Sequence, residues 1–191
     1  MQAMLLSQSG REITEPTGLA EQVACGDPAA FERLIQLYEP RVTRLAHRLM
    51  GWAGDVDDIV QDVFLAALRS GHRFRRDASL WTWLSAITLN CCRNRHRRKA
   101  IGDRVLELVR GQKVSEPADA AALQDESVRE VRTAMAGLPA KDREVIVLFY
   151  LEHRTIAEMG QMLRATPNAI EVRLHRARRR LRDLLAPYMK D

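Results

Sequence analysis

The chain has 191 residues, enough for one ordinary domain or two small ones. Apolar residues make up 46% of it, which excludes a wholly disordered protein, and the ten glycines and seven prolines are too few for a turn-dense all-β chain. The net charge of +5 is divided between two basic lobes, residues 19–100 and 126–191, which flank an acidic segment at 101–125. This distribution favours a polyanionic partner that is contacted at two places.

Membrane insertion, metal binding and catalysis find no support in the sequence. The longest uninterrupted apolar run, residues 145–151, is far shorter than the ~20 residues of a membrane helix. The N-terminus shows no basic leader before a long apolar stretch, and the three cysteines form no CxxC spacing, so we expect a cytoplasmic protein with free thiols. The histidines form no HExxH pair and no glycine-rich phosphate loop occurs, so we expect neither a catalytic site nor a cofactor.

The first lobe contains four predicted helices. Asp27-Pro28 is typical of a helix start, with a capping side chain followed by a first-turn proline, and apolar residues then recur at helical spacing through 31–49. The cleanest apolar stripe lies in 56–68, and a fourth helix begins at Leu80 and runs into a basic stretch that ends at Lys99. Four such helices predict one small bundle.

The second lobe follows a segment without helical periodicity. A helix is predicted from Glu126 and another after Leu138-Pro139. A short helix at 156–163, a three-residue turn and a longer basic helix from Thr166-Pro167 then match the helix-turn-helix plan. The chain is therefore predicted to be all-α, with two small helical domains joined by a flexible linker. The predicted division is a disordered tail at 1–17, a four-helix domain at 18–100, a linker at 101–125 and a helix-turn-helix domain at 126–191.

The last helix carries the strongest signal for DNA binding. With Ile170 and Leu174 turned inward, the opposite face near the helix start is placed to read base edges in the major groove. The arginines of this helix suit phosphate contacts, which supply affinity rather than sequence choice. A solvated basic surface helix is the alternative. The predicted contact residues are Asn168, Glu171, Val172, Arg173, His175, Arg176 and Arg178.

The third helix presents an acidic stripe away from its apolar side. Asp58, Gln61, Asp62 and Leu65 follow the spacing i, i+3, i+4, i+7. Acidic residues at a helix start also simply complement the helix dipole. A stripe that includes an exposed leucine nevertheless resembles a docking surface for a basic helical partner.

The fourth helix combines tryptophans with a basic end. Trp83 fits the apolar stripe, whereas Trp81 lies off it, and an exposed indole there can stack on an unpaired base. A partly buried surface tryptophan is the alternative. The polar residues on the following turns are suited to single-stranded bases and phosphates, or merely to capping the helix C-terminus. They are Asn90, Arg93, Asn94 and Arg97.

Three segments, in this order, resemble the extracytoplasmic-function sigma factors, the compact group of the sigma-70 family of bacterial transcription initiation factors. Residues 57–64 (DDIVQDVF) look like the region 2 segment that grips the coiled coil of the polymerase β′ subunit. Residues 83–90 (WLSAITLN) are similar to the signature of the helix that meets the −10 promoter element. Residues 138–145 and 173–178 look like the start and end of region 4, which reads the −35 element. The resemblance covers the chain from about Leu19 to Leu185.

The resemblance implies binding to core RNA polymerase through its β′ and β subunits, binding to promoter DNA, help in melting the −10 element, and an anti-sigma factor as a further partner. It assigns the acidic stripe to polymerase and the helix that begins with Trp83 to the −10 element, so that Trp81 and the polar residues named above become candidate −10 contacts. The chain departs from the family at Arg164, where a glycine is usual. Two alternatives remain open: a helix-turn-helix regulator that binds duplex DNA alone, and a helical adaptor whose basic lobes bind RNA or acidic proteins.

Overall fold

The computed structural model describes residues 18–52, 54, 56–71, 74, 79–110 and 126–189, with the backbone alone for 102–110. Within these ranges the chain contains helices and no strand, which confirms the predicted all-α class. The α-helices are α1 (Leu19–Ala24), α2 (Pro28–Met50), α3 (Asp57–Ser70), α4 (Leu80–Arg110), α5 (Glu126–Gly137), α6 (Ala140–Ile146), α7 (Ile156–Leu163) and α8 (Pro167–Leu185). A π-helical turn, Val147–Leu151, extends α6, and a 3-10 turn, Ala186–Tyr188, follows α8.

Helices α1 to α4 form the N-terminal bundle. Asp27 caps α2 as predicted, since its Oδ1 accepts a hydrogen bond from the backbone N–H of Ala29 at 3.0 Å and Pro28 occupies the first turn. Pro40 lies inside α2 without ending it. The large side chains buried completely in this bundle include Leu19, Leu34, Val42, Leu45, Leu49, Val56, Leu80, Leu84 and Leu89.

Helices α5 to α8 form the C-terminal bundle. Helices α5, α6 and α7 all pack against α8, which buries Ile170, Leu174 and Ala177. Leu148 and Met159 are also completely buried. The four helix starts predicted in this half of the chain are confirmed, and those of α7 and α8 rest on side-chain caps, with a first-turn proline in α8.

The two bundles pack against each other, with α6 in contact with α2. Helix α4 continues to Arg110, through the first ten residues of the predicted linker. The helical part of the first lobe thus ends later than the sequence suggested, because residues 103–110 are mostly good helix formers and the one glycine before them costs only about 1 kcal/mol. The predicted tail at 1–17 and the rest of the linker, 111–125, lie outside the described residues.

The described part of the chain has no helix long and apolar enough to cross a bilayer. Nor do the described residues bring together three or more histidine, cysteine or acidic side chains in a group that could hold a metal ion.

Candidate nucleic-acid interface

The geometry of the helix-turn-helix is set by local hydrogen bonds. Thr155 and Glu158 form a capping box at the start of α7: the Thr155 Oγ1 accepts from the Glu158 backbone N–H at 3.2 Å, and the Glu158 carboxylate accepts from the Thr155 N–H at 2.8 Å. These bonds to Thr155 hold the pKa of Glu158 below its usual value. Helix α7 ends at Arg164 in the left-handed region, at φ 52°, so an arginine occupies a conformation that glycine usually supplies.

Gly160 permits the tight turn between the two helices. A Cβ at this position would lie 2.9 Å from the backbone oxygen of Ala165. Thr166 then caps α8, because its Oγ1 accepts from the Ala169 N–H at 3.3 Å, and Pro167 follows in the first turn. The close approach at Gly160 therefore fixes the angle at which α8 leaves the turn.

Helix α8 presents the predicted reading face to solvent. Asn168, Glu171 and His175 are exposed, and so is Val172, with 43% of its surface accessible. The buried stripe of α8 lies on the opposite side, so the apolar residues pack against the rest of the bundle and the polar residues stay accessible to solvent. The structure thus brings these four predicted residues together on one accessible face.

The arginines of α8 divide into free and engaged groups. Arg176 is exposed, and Arg178 is exposed while its guanidinium lies 5.3 Å from the ring centroid of Phe149. Arg173 is half-buried, and Arg180 forms an ion pair with Asp142 of α6. The first three were predicted to contact DNA, which stays a prediction, whereas Arg180 ties α8 to its own bundle.

The acidic stripe of α3 is exposed along its whole length. Asp58, Gln61 and Asp62 are accessible, and Leu65 keeps 49% of its surface exposed although it is apolar. Asp58 lies 3.8 Å from the guanidinium of Arg95, a contact between exposed groups that costs little to break. The stripe has the negative charge and, at its C-terminal end, the exposed apolar side chain that suit docking of a basic helix.

Trp81 does not occupy the exposed position that base stacking requires. Only 6% of its surface is accessible, its ring stacks on that of Tyr38 with the centroids 6.2 Å apart, and the Arg41 guanidinium lies 4.0 Å from its centroid. Trp83, assigned to the core stripe, is partly buried against Phe74. The expectation of an exposed Trp81 is wrong, because the position lies off the stripe of α4 but faces α2.

The polar residues further along α4 differ in how free they are. Asn90 is exposed, and the exposed Asn94 accepts a hydrogen bond from Arg97. Arg93 is half-buried, and its guanidinium donates two hydrogen bonds to Glu144 of α6, at 2.8 and 2.7 Å. Three of the four residues predicted to contact single-stranded DNA are therefore accessible. The fourth, Arg93, is paired with the Glu144 carboxylate of the other bundle.

Sequence reasoning missed the buried charges of α6. Asp142, Arg143 and Glu144 are all buried although they are consecutive and charged. Arg143 donates to the carbonyl oxygens of Leu49 at 3.0 Å and Ala136 at 3.0 Å, and burial lowers its pKa. One signal in the sequence could have indicated this burial. The charged triplet lies immediately before the longest apolar run of the chain, and a helix next to such a run is not expected to be exposed to solvent.

Gly51 makes room for this arginine. It ends α2 in the left-handed region at φ 73°, and a Cβ there would overlap the Arg143 guanidinium. His96 of α4 also approaches this point: burial lowers its pKa, opposed by a hydrogen bond with the Leu49 backbone, and the nearby charge of Arg143 lowers it further. The C-terminal end of α2 is therefore a meeting point for side chains of α4 and α6.

The cysteines are free thiols in the described structure. Cys25 is exposed, whereas burial raises the pKa of Cys91 to about 11 and that of Cys92 to about 12. Both of these thiols are protonated at neutral pH and act as small apolar groups.

Comparison with known proteins identifies both bundles. The family described as Sigma-70 region 2 matches residues 34–101, and the family described as Sigma-70, region 4 matches residues 128–181. The chain is 36% identical over 168 residues to the ECF RNA polymerase sigma factor SigM of Mycobacterium tuberculosis, covering 87% of this chain and 82% of that protein. It is 29% identical to the ECF RNA polymerase sigma factor SigW of Bacillus subtilis, covering 86% of this chain and 94% of that one.

Two solved structures share the architecture. CnrH, in complex with the cytosolic domain of CnrY, is similar with a TM-score of 0.61 and 31% identity, over 88% of this chain and 96% of that chain. The sigma factor RpoE of Bartonella quintana, in complex with the anti-sigma factor NepR, is similar in fold with a TM-score of 0.65 and 24% identity, over 82% and 96% of the two chains.

Proposed function

Because the chain belongs to the extracytoplasmic-function sigma factors of the sigma-70 family, we propose that it binds core RNA polymerase, directs the enzyme to a class of promoters and helps to open their −10 element. The N-terminal bundle acts as region 2 and the C-terminal bundle as region 4. The polymerase performs the chemistry, in the cytoplasm, and this chain supplies the choice of promoter.

One observation carries this proposal: the same chain holds two accessible faces of opposite character. The reading face of α8 is polar and flanked by free arginines, as binding to duplex DNA requires. The stripe of α3 is acidic and ends in an exposed leucine, so it repels DNA and suits a basic protein partner. A regulator that binds DNA alone uses the first face and has no use for the second.

The −10 contacts are assigned to the accessible polar residues of α4. Asn90, Asn94 and Arg97 lie on successive turns, and Arg93 joins them when its carboxylate partner is displaced. Trp81 serves as a structural support of this surface through its stack on Tyr38. An anti-sigma factor is a further partner, as it is for the related CnrH and RpoE.

Promoter-dependent initiation is the test of this function. Purified protein is added to core polymerase with a genomic promoter library, and transcripts are counted with and without it. We expect specific start sites only when both proteins are present. Binding to duplex sites without polymerase, with no new transcripts, would instead identify a stand-alone regulator, and neither result would identify an adaptor.

The polymerase contact has its own variant. Asp58→Arg with Asp62→Arg reverses the charge of the α3 stripe without touching the buried residues, so we expect binding to core polymerase to be lost while the helix content is kept. The matched control is Glu32→Arg with Glu39→Arg, which makes the same charge change at exposed positions of α2 in the same bundle. Equal affinity of the two double variants for core polymerase in a titration would remove α3 from the interface.

A further inference from the structure

The π-helical turn after α6 places two aromatic side chains beside α8. Within this turn Val147 and Leu148 are buried, whereas Phe149 is partly buried and Tyr150 keeps 43% of its surface exposed. The rings of Phe149 and Tyr150 meet edge to face, with their centroids 5.0 Å apart and their planes at 79°. Turns of this kind are rare in proteins and occur frequently at functional sites.

The two rings hold the guanidinium of Arg178. Its Cζ lies 5.3 Å from the ring centroid of Phe149 and 5.5 Å from that of Tyr150. Both distances are short enough for a cation–π contact. Arg178 is exposed, and among the described residues it forms no ion pair, unlike Arg180, which binds Asp142. A guanidinium that stacks on rings still directs its N–H donors outward in its own plane, so they stay free to bind an anion.

Arg178 lies on the same side of α8 as the reading face. Glu171, His175 and Arg178 follow the spacing i, i+4, i+7, and all three are exposed. When the first turns of α8 enter the major groove, residues further along this face leave the base edges and approach the phosphates that border the groove. The anion that Arg178 is placed to meet is therefore a phosphate of the DNA backbone.

We propose that Phe149 and Tyr150 are positioning residues for a DNA phosphate contact made by Arg178. The rings restrict the guanidinium before DNA arrives, so less side-chain freedom is lost on binding. Arg176 offers the comparison, because it is exposed on the same helix and has no ring contact among the described residues. Both arginines carry the same charge, so Arg178 should contribute more affinity than Arg176 for the same dependence on salt. The proposal rests on the function assigned above and adds two residues to its duplex contact.

A purely structural role for the rings predicts different behaviour. If the rings only stabilise the bundle, loss of Tyr150 affects DNA binding to the same extent whether or not Arg178 is present. If they position the guanidinium, the effect of Tyr150 on binding disappears once Arg178 is removed. A double-mutant cycle between these two residues therefore separates the two roles.

The test measures binding of the full chain to two duplexes at salt concentrations from about 50 to 200 mM. One duplex is selected by the wild-type protein from a randomised −35 library. The other is a mixed-sequence duplex of the same length, which reports on phosphate contacts without base readout. The variant is Tyr150→Leu, and its control is Tyr188→Leu, because Tyr188 is 44% exposed in the same bundle.

We expect Tyr150→Leu to weaken binding to both duplexes about two- to fivefold, the size of an exposed cation–π contact, and Tyr188→Leu to leave it unchanged. The slope of log affinity against log salt should stay as in the wild type, because Arg178 keeps its charge, whereas Arg178→Ala should reduce the slope by about one. Tyr150→Phe restores a ring and should recover wild-type binding. Tyr150→Leu should have no further effect when combined with Arg178→Ala and its full effect when combined with Arg176→Ala.

Equal effects of Tyr150→Leu in the two arginine backgrounds would overturn the positioning role, and so would a Tyr150→Phe variant that binds as weakly as Tyr150→Leu. Arg178→Lys is a second variant at an exposed position, which keeps the charge and loses the planar group. We expect it to show the wild-type salt slope with a lower affinity, and wild-type affinity would contradict the proposal.

The two duplexes distinguish this proposal from the function on which it rests. If the library yields no preferred sequence, the proposed function fails, while the mixed-sequence duplex still tests the phosphate contact. Absence of wild-type binding to the mixed-sequence duplex at the lowest salt concentration would overturn the phosphate contact itself.

Discussion

Removing the guanidinium of Arg143 should uncouple the two bundles. This group donates to three backbone carbonyls, those of Leu49 at 3.0 Å, Met135 at 3.3 Å and Ala136 at 3.0 Å. The first lies at the end of α2 and the others at the end of α5, where helix carbonyls lack their regular intrahelical partners, although the Met135 carbonyl also accepts from the Leu138 N–H at 3.2 Å. Arg143→Met keeps most of the aliphatic stem and deletes every donor.

The magnitude follows from opposing contributions. Hydrogen bonds to a charged donor are worth about 1.5–3 kcal/mol each, so three of them sum to about 4.5–9 kcal/mol. Burying the guanidinium costs several kcal/mol, a cost also visible in its lowered pKa, and the variant is relieved of it. We therefore expect Arg143→Met to lower the free energy of unfolding by about 2–4 kcal/mol.

Urea unfolding followed by far-ultraviolet circular dichroism measures this loss. The control is Arg129→Met, because Arg129 is exposed and pairs with Glu126 at 3.5 Å over one helical turn, a contact worth less than about 0.5 kcal/mol. We also expect the wild type to unfold in one transition and Arg143→Met in a broader one, since bundles that no longer support each other unfold separately. A loss below about 1 kcal/mol with an unchanged transition would refute the reasoning.

Three further outcomes are expected. Glu171→Lys should change the preferred base at one −35 position by about 1–3 kcal/mol and raise the affinity for all duplexes, as selection from a randomised library would report; identical preferences would place Glu171 in solvent. Gly160→Ala should lower the melting temperature measured by calorimetry, because its Cβ would meet the Ala165 carbonyl oxygen at 2.9 Å; an unchanged temperature would mean that the turn yields freely. Because burial lowers the pKa of His96, the folded chain binds a proton there less readily than the unfolded chain, so its stability is full well above the unfolded pKa of about 6.5 and declines as the pH falls further. Urea unfolding at pH 7.5 and 5.5 should show a larger loss of stability in the wild type than in His96→Gln; equal losses in both would assign the effect to another group.

Local signals explain how much of the fold the sequence could predict. Asp27-Pro28 and Thr166-Pro167 each start a helix where predicted, because capping and first-turn proline act within a few residues. The face of α8 and the stripe of α3 also follow from periodicity alone, since each helix has one buried side.

Features that depend on contacts between residues far apart in the sequence could not be predicted from local patterns. Trp81 is buried because Tyr38 of another helix stacks on it, and nothing in the α4 stripe reports that partner. The Arg93–Glu144 pair joins residues 51 positions apart, and either side chain taken alone reads as a solvated charge. The sequence thus predicted which helix faces of each bundle are polar. It could not predict which of these faces is covered by the other bundle.

The length of α4 sets how far apart the bundles can move. Helix α4 ends at Arg110 and α5 begins at Glu126, so the chain between them can span no more than about 55 Å in any conformation. Confined to a sphere of that radius, each C-terminal bundle meets its own N-terminal bundle at an effective concentration on the order of 1 mM. Contact between the two bundles is therefore insensitive to how much of the protein a cell contains. A molecule that binds Arg48 or Arg93 of region 2 has to compete with a carboxylate of the C-terminal bundle, Glu152 or Glu144. That carboxylate is always present at an effective concentration on the order of 1 mM.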